Sequence, residues 1–212
     1  MRFVTAVCLT LTTFAISGAQ AEPTDNSLQV YVVQVLHDLT QAGGLGGVYL
    51  GNGLVITAAH VGGPDTQGVR IDGQNVSAKI IKRGTFETID LALLSMDEEK
   101  LPISLRLRRM PLCQRPPQVG APVIVAAPQG ITRSRIMSPL LLPANLRWKF
   151  PTVISDVATS GKSGSGVFDA EKKCLLGILS LKITNEIEHK DFATYFVPAR
   201  IIQSFVPTGT RW

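Results

Sequence analysis

The sequence predicts an all-β protein. Short runs rich in Val, Ile and Leu recur along the chain, and turns built from Gly, Asn and Pro separate them. Gly (19) and Pro (13) are plentiful in the 212 residues, as many short strands joined by turns require. This pattern specifies a sandwich or a barrel, and spacing alone does not choose between them. Hydrophobic residues make up 45 % and charged residues 17 %, the balance of a folded chain with a substantial core. The length suits one or two domains. No internal repeat of fixed period and no low-complexity run interrupts it.

Each element follows in order. Arg2, the apolar run Val4 to Ile16 and the small-x-small Ala19-Gln20-Ala21 read as a secretory leader cleaved after Ala21. The run is short for a spanning helix, which needs ~20 apolar residues. No later segment approaches that length, so no membrane partner is expected after the leader is removed. Gln29 to Leu36 is Val-rich and reads as an opening strand. Gly47 to Leu50 and Leu54 to Thr57 flank Gly51-Asn52-Gly53 and read as a hairpin, since Asn and Gly accept the positive φ of a tight turn. Val69 to Ile71 and Val76 to Ile81 flank an Asp72-Gly73-Gln74-Asn75 turn, and Leu91 to Ser95 follows. Residues 97–117 are charged and contain Pro111, Pro116 and Pro117, the composition of a crossing between two halves. Pro122 to Ala127, Val153-Ile154, Gly166 to Phe168, Leu175 to Ile183 and Ala193 to Val197 are the later strands, and Ile201 to Val206 a short closing helix. The expected organisation is a leader over 1–21, a first half over 22–110 and a second over 111–212.

Leader removal takes Cys8 with it. The remaining Cys113 and Cys174 either pair, as is common in an exported chain, or stay as separate thiols. Paired, they close a loop of roughly 60 residues, worth about 4 kcal/mol in the chain-entropy model. There is no CxxC pair and no His/Cys cluster, so neither a metal nor an organic cofactor is expected. The formal charge is +5, part of it in Arg106-Leu107-Arg108-Arg109. That cluster attracts nucleic acid or anionic lipid in some contexts, but here it reads as a solvated linker, because no nucleic-acid-binding motif accompanies it. Asn75-Val76-Ser77 matches a glycosylation acceptor, a pattern frequent by chance.

Three segments carry chemistry. Thr57-Ala58-Ala59-His60 ends an apolar strand and brings His60 to the surface. Asp90 opens Asp90-Leu91-Ala92-Leu93-Leu94, where a carboxylate is costly to bury without a partner. Gly161-Lys162-Ser163-Gly164-Ser165-Gly166 surrounds a serine with glycines, which expose the hydroxyl and let successive N–H groups converge. Singly, each is better read as a structural His, a capping Asp and a flexible turn. Together they supply a nucleophile, a base to take its proton and a carboxylate to hold the base. Backbone N–H groups of Gly161 and Ser163 are candidate oxyanion donors.

With these residues in order, the sequence resembles the trypsin-like serine peptidases of the chymotrypsin fold, especially the bacterial members with short loops. The resemblance covers about residues 28–206 and includes Leu176 to Ser180, similar to the family's substrate-binding strand, and Tyr195 to Pro198, similar to the segment before its closing helix. It implies two antiparallel β-barrels of the chymotrypsin type, a cleft between them, and protein or peptide substrates cleaved by His60, Asp90 and Ser163 through an acyl-enzyme. It also implies a specificity pocket with Val157 and Ala158 at its base and Leu179, Ser180, Leu181 and Lys182 along one wall. That pocket is uncharged, with Asp156 one position away. Apolar side chains are then preferred, and Lys182 at the rim adds some preference for acidic groups further along the peptide.

The sequence departs from the family pattern in two places. Lys162 stands where the digestive enzymes carry an Asp that pairs with a new N-terminus, and no Ile-Val-Gly-Gly start is present, so activation by N-terminal insertion is not expected. Val61 follows His60 where the animal enzymes have Cys. The competing reading is a catalytically silent barrel acting as a binding protein.

Overall fold

The computed structural model describes residues 25–40, 44–155, 162–185 and 190–207. Among these residues twelve strands form two closed antiparallel barrels. The first contains β1 (Val32–Leu36), β2 (Leu45–Gly51), β3 (Leu54–Thr57), β4 (Gly68–Ile71), β5 (Gln74–Arg83) and β6 (Ala92–Met96), in the order β1-β2-β3-β6-β5-β4. The second contains β7 (Pro122–Ala127), β8 (Gly130–Met137), β9 (Val153–Ser155), β10 (Gly166–Asp169), β11 (Leu175–Asn185) and β12 (Lys190–Pro198), in the order β10-β11-β12-β9-β8-β7. Closure leaves neither sheet a free edge.

Side-chain alternation divides most of the apolar residues among three regions, and a fourth, smaller cluster forms around Leu142, Phe150 and Val153 at one side of barrel two. Val55, Ala92, Leu94 and Met96 fill barrel one, while Val123, Val125, Val167 and Phe196 fill barrel two. Their neighbours Ile56, Leu93, Ile124, Ala126 and Phe168 point outward into a third cluster shared by both barrels. Strands buried on both faces explain why the sequence reads as continuous apolar runs. The same shared cluster takes Ala199, Ile202 and Phe205 from the closing helix, which spans Ala199–Phe205. Lys82 on β5 donates to the Phe205 carbonyl at 2.8 Å and lies over the Phe205 ring, so barrel one holds the end of barrel two's helix.

The hairpin turn forms as its residues require, with Asn52 and Gly53 at φ 53° and 67°. The next turn is tighter than expected: Asp72 and Gly73 make it at φ 48° and 76°, and Gln74 and Asn75 already belong to β5. The opening strand is shorter, because Asp25–Tyr31 is a 3₁₀ segment. Leu28 there packs into the shared cluster and Gln29 donates to the Ala127 carbonyl, contacts on the second barrel that a barrel-one strand would not allow. The crossing contains a 3₁₀ turn at Glu98–Lys100 and an α-helical turn, α1 (Ile103–Arg106), making the closing helix α2. Arg109 caps carbonyls of Arg106 and Arg108 and pairs with Glu98 at 3.7 Å, so part of the arginine cluster serves the linker's own fold. Cys113 and Cys174 form a disulfide with Cα atoms 5.1 Å apart, clipping the end of the crossing to the β10–β11 turn. Asn75 spends its amide within the fold, accepting from Arg70 and donating to the Leu39 carbonyl.

Candidate active site

The three sequence segments arrive from different elements. The chain leaves β3 and turns at once, with the Val61 and Gly62 N–H groups both donating to the Ala58 carbonyl, which sets His60 at the surface with its side chain 33 % exposed. Asp90 lies just before β6, the strand paired with β3, and is buried. Its carboxylate accepts from His60 Nδ1 at 2.8 Å, from the His60 backbone N–H at 3.1 Å and from Ser180 Oγ at 2.5 Å. Burial pushes the Asp90 carboxyl up, but the hydrogen bonds from His60 and Ser180 outweigh it and hold the group below its ordinary value. An ionised Asp90 accepts from Nδ1–H and leaves Nε2 as the basic imidazole nitrogen. Phe86 stands edge-on to the His60 ring at 5.8 Å.

Ser163 sits in the turn entering β10. The Gly46 N–H of β2 donates to the Ser163 carbonyl at 3.0 Å, which ties this turn to barrel one. The Gly164 N–H donates to the Leu179 carbonyl, and the Leu179 N–H to the Ser165 carbonyl, which ties it to β11. Gly164 has φ 81°, and a Cβ there would overlap the Gly46 carbonyl and Thr57 Oγ1. Glycine is therefore required at 164 by conformation and by space. Thr57 in turn donates to the Gly46 carbonyl at 2.6 Å.

A β-bulge joins the two halves of the site. On β11, Leu179 faces Phe196 and Leu181 faces Tyr195, so Ser180 is the extra residue between them. Freed from the ladder, its hydroxyl donates to Asp90 and its carbonyl accepts from Ser163 Oγ at 3.5 Å. Among the described residues no hydrogen bond joins Ser163 Oγ to His60.

Of the other expected site residues, Val157, Ala158 and Gly161 lie outside the described residues, as does Asp156. Leu179 packs into barrel two among Val167 and Phe196. Lys182 does not present a free charge: it pairs with Asp191 at 2.5 Å, and Asp191 also accepts from Thr184. Leu181 packs with Phe150, Val153 and Ala193. Lys162 donates to Thr132 Oγ1 on β8 at 2.8 Å.

Sequence reasoning missed Gly46 and the role of Ser180. A glycine pair inside a strand, Gly46-Gly47, is a readable signal of close backbone approach; a Cβ at Gly46 would overlap Ser165 Oγ and lie 2.8 Å from Ser165 N. The bulge has no signal of comparable clarity.

Two closed six-stranded antiparallel barrels followed by a short closing helix are the architecture of chymotrypsin-fold peptidases. The trypsin-like peptidase domain matches residues 44–178, and the chain belongs to that family. Among curated proteins none matches the sequence. Similar solved structures are distant in sequence. The active form of the Rv3671c protease from M. tuberculosis is 15 % identical, with TM-score 0.60 over 98 % of this chain and 96 % of that one. The serine endoprotease from Yersinia pestis is 19 % identical, with TM-score 0.61 over 86 % and 65 %. Kallikrein-related peptidase 10 is 20 % identical, with TM-score 0.63 over 86 % and 96 %. At these identities the likeness establishes the fold; membership of the family supports peptidase function.

Proposed function

We propose that the protein is an exported serine endopeptidase that cleaves protein or peptide substrates through an acyl-enzyme. The observation that carries the reading is the buried Asp90 carboxylate that accepts from both His60 Nδ1 and Ser180 Oγ. In the proposed reaction the Ser163 hydroxyl turns from the Ser180 carbonyl to His60 Nε2, gives up its proton there and attacks the scissile carbonyl. The N–H groups of Ser163 and Gly161 stabilise the oxyanion. His60 returns the proton to the leaving amine, and water, activated by the same imidazole, hydrolyses the ester. Asp90 keeps its charge throughout, fixing the tautomer and stabilising the imidazolium. The leader-like residues 1–21 and the Cys113–Cys174 disulfide support an exported protein. With Lys182 neutralised by Asp191, the preference for apolar side chains rests on the pocket residues Val157 and Ala158 with Ser180 and Leu181.

One observation favours a second reading, a catalytically silent barrel that binds peptides: the Ser163 hydroxyl is engaged by the Ser180 carbonyl. Cleavage of a peptide library separates the two. The proposal expects turnover that Ser163→Ala abolishes and Ser165→Ala, a change at a fully buried hydroxyl, largely retains. A folded protein that binds peptides without cleaving any of them supports the silent barrel.

A further inference from the structure

The segment between β8 and β9, residues 138–152, is fastened to barrel two from within. Leu142 and Phe150 are buried against Val153, Ile183 and Ala193. Its backbone closes on itself through Leu142 to Pro139, Leu146 to Pro143 and Phe150 to Leu146, and Arg147 Nε donates to the Leu142 carbonyl at 2.8 Å. The fold thus consumes Leu142, Leu146 and Phe150 and turns a second apolar set outward. Trp148 is 93 % exposed, Leu140 71 % and Leu141 69 %. One exposed tryptophan and two exposed leucines within a single fifteen-residue segment that is fastened by its own buried residues make a surface suited to contact.

Charge selects the partner. Arg147 and Lys149 flank Trp148 and are exposed, as are Arg133 and Arg135 on the strand leading into the segment. From Lys100 to Ser155 the sequence contains no Asp or Glu, while Lys and Arg recur throughout. A second copy of the chain would bring an equally basic face, and repulsion opposes that pairing. An anionic bilayer supplies phosphate charge for the cations and, just beneath it, an apolar layer for Leu and the amphipathic indole.

We propose that residues 138–152 dock the protein on the surface of an anionic phospholipid bilayer, with Trp148, Leu140 and Leu141 entering the headgroup boundary and Arg147 and Lys149 contacting phosphates. The contact is peripheral: among the described residues no helix is long and apolar enough to cross a membrane. It is separate from the peptidase reading, since none of these residues belongs to the candidate active site.

The test uses the full chain with Trp212→Phe, which leaves Trp148 as the sole tryptophan reporter. It is mixed with vesicles of phosphatidylcholine alone, or of phosphatidylcholine with phosphatidylglycerol, each with and without brominated acyl chains. The expected result is a blue shift and bromine quenching of Trp148 in the phosphatidylglycerol vesicles only, weakening as salt rises. In the unsubstituted chain, Trp148→Ala lowers partitioning by at least about tenfold, and the pair Arg147→Gln with Lys149→Gln removes its salt dependence. Trp148 is exposed, so its variant should keep the unfolding midpoint; the double variant gives up the Arg147 bond to the Leu142 carbonyl and should fall only slightly, and a cooperative transition in each shows that the variants fold. Vesicle binding that leaves Trp148 unquenched assigns the contact elsewhere on the chain, such as residues 1–21, and overturns the proposal. No partitioning overturns it as well, and so does self-association that Trp148→Ala abolishes, which would place a second copy on the patch.

Discussion

At the scale of single residues, Asp90 is where burial and charge compete. Its carboxylate is almost inaccessible and accepts from His60 and Ser180, and those hydrogen bonds hold it ionised below the usual carboxylate range. A carboxyl whose pKa is lower folded than unfolded contributes stability above the unfolded value and loses it as pH falls through the folded one. The wild-type protein should therefore lose part of its stability in acid, below the ordinary aspartate value, and Asp90→Asn should flatten that part of a melting-temperature profile. The same variant should lose about four orders of magnitude in kcat, because an amide at this position presents the imidazole in the wrong tautomer. Retention of the acid slope in Asp90→Asn would remove Asp90 as its cause. Ser163, His60 and Asp90 can be picked out as candidates from the sequence, because each sits beside a strand end or a glycine-rich turn. Ser180 was legible only as a wall residue, since its contact with Asp90 depends on a one-residue bulge.

At the scale of elements, the turn that carries Ser163 depends on how closely β2 approaches it. Gly46 and Gly47 are adjacent yet face different neighbours. A Cβ on Gly46 meets the Ser165 side chain and backbone, whereas one on Gly47 meets side chains of Val33, Val35 and Val55 inside barrel one. Gly46→Ala should lower kcat/KM of the folded protein by at least about tenfold and destabilise by about 1–3 kcal/mol, the ordinary cost of overpacking. Gly47→Ala should destabilise by a similar amount while folded molecules keep their turnover. Equal effects of the two on kcat/KM would contradict the docking role of Gly46. Element types were readable wherever a strand is buried on both faces. β8 was not foreseen, because Gly130–Met137 alternates Thr, Ser and Arg with few apolar residues and only Ile136 is buried. The 3₁₀ segment at Asp25–Tyr31 ends in Gln29-Val30-Tyr31, which runs into Val32–Leu36 with no turn residue between, and only contact with the second barrel separates them.

At the scale of the molecule, the barrels share one apolar interface, capped by a helix from the second and held by Lys82 of the first. They should unfold together. Ile202→Ala, at a fully buried position, should cost about 2–5 kcal/mol and lower a single calorimetric transition without splitting it; two transitions would show that the barrels are energetically independent. The sequence alone left sandwich and barrel open, since strand spacing is common to both, and only the ordered His, Asp and Ser segments pointed to two barrels with a site between them. The proposed chemistry is tested most directly by treating the folded protein with an organophosphate and mapping the adduct by mass spectrometry. The account predicts a single adduct on Ser163, loss of peptide cleavage in proportion to labelling, and no adduct in His60→Ala. A folded protein that stays unlabelled, an adduct on Ser165, or labelling that survives His60→Ala would contradict it.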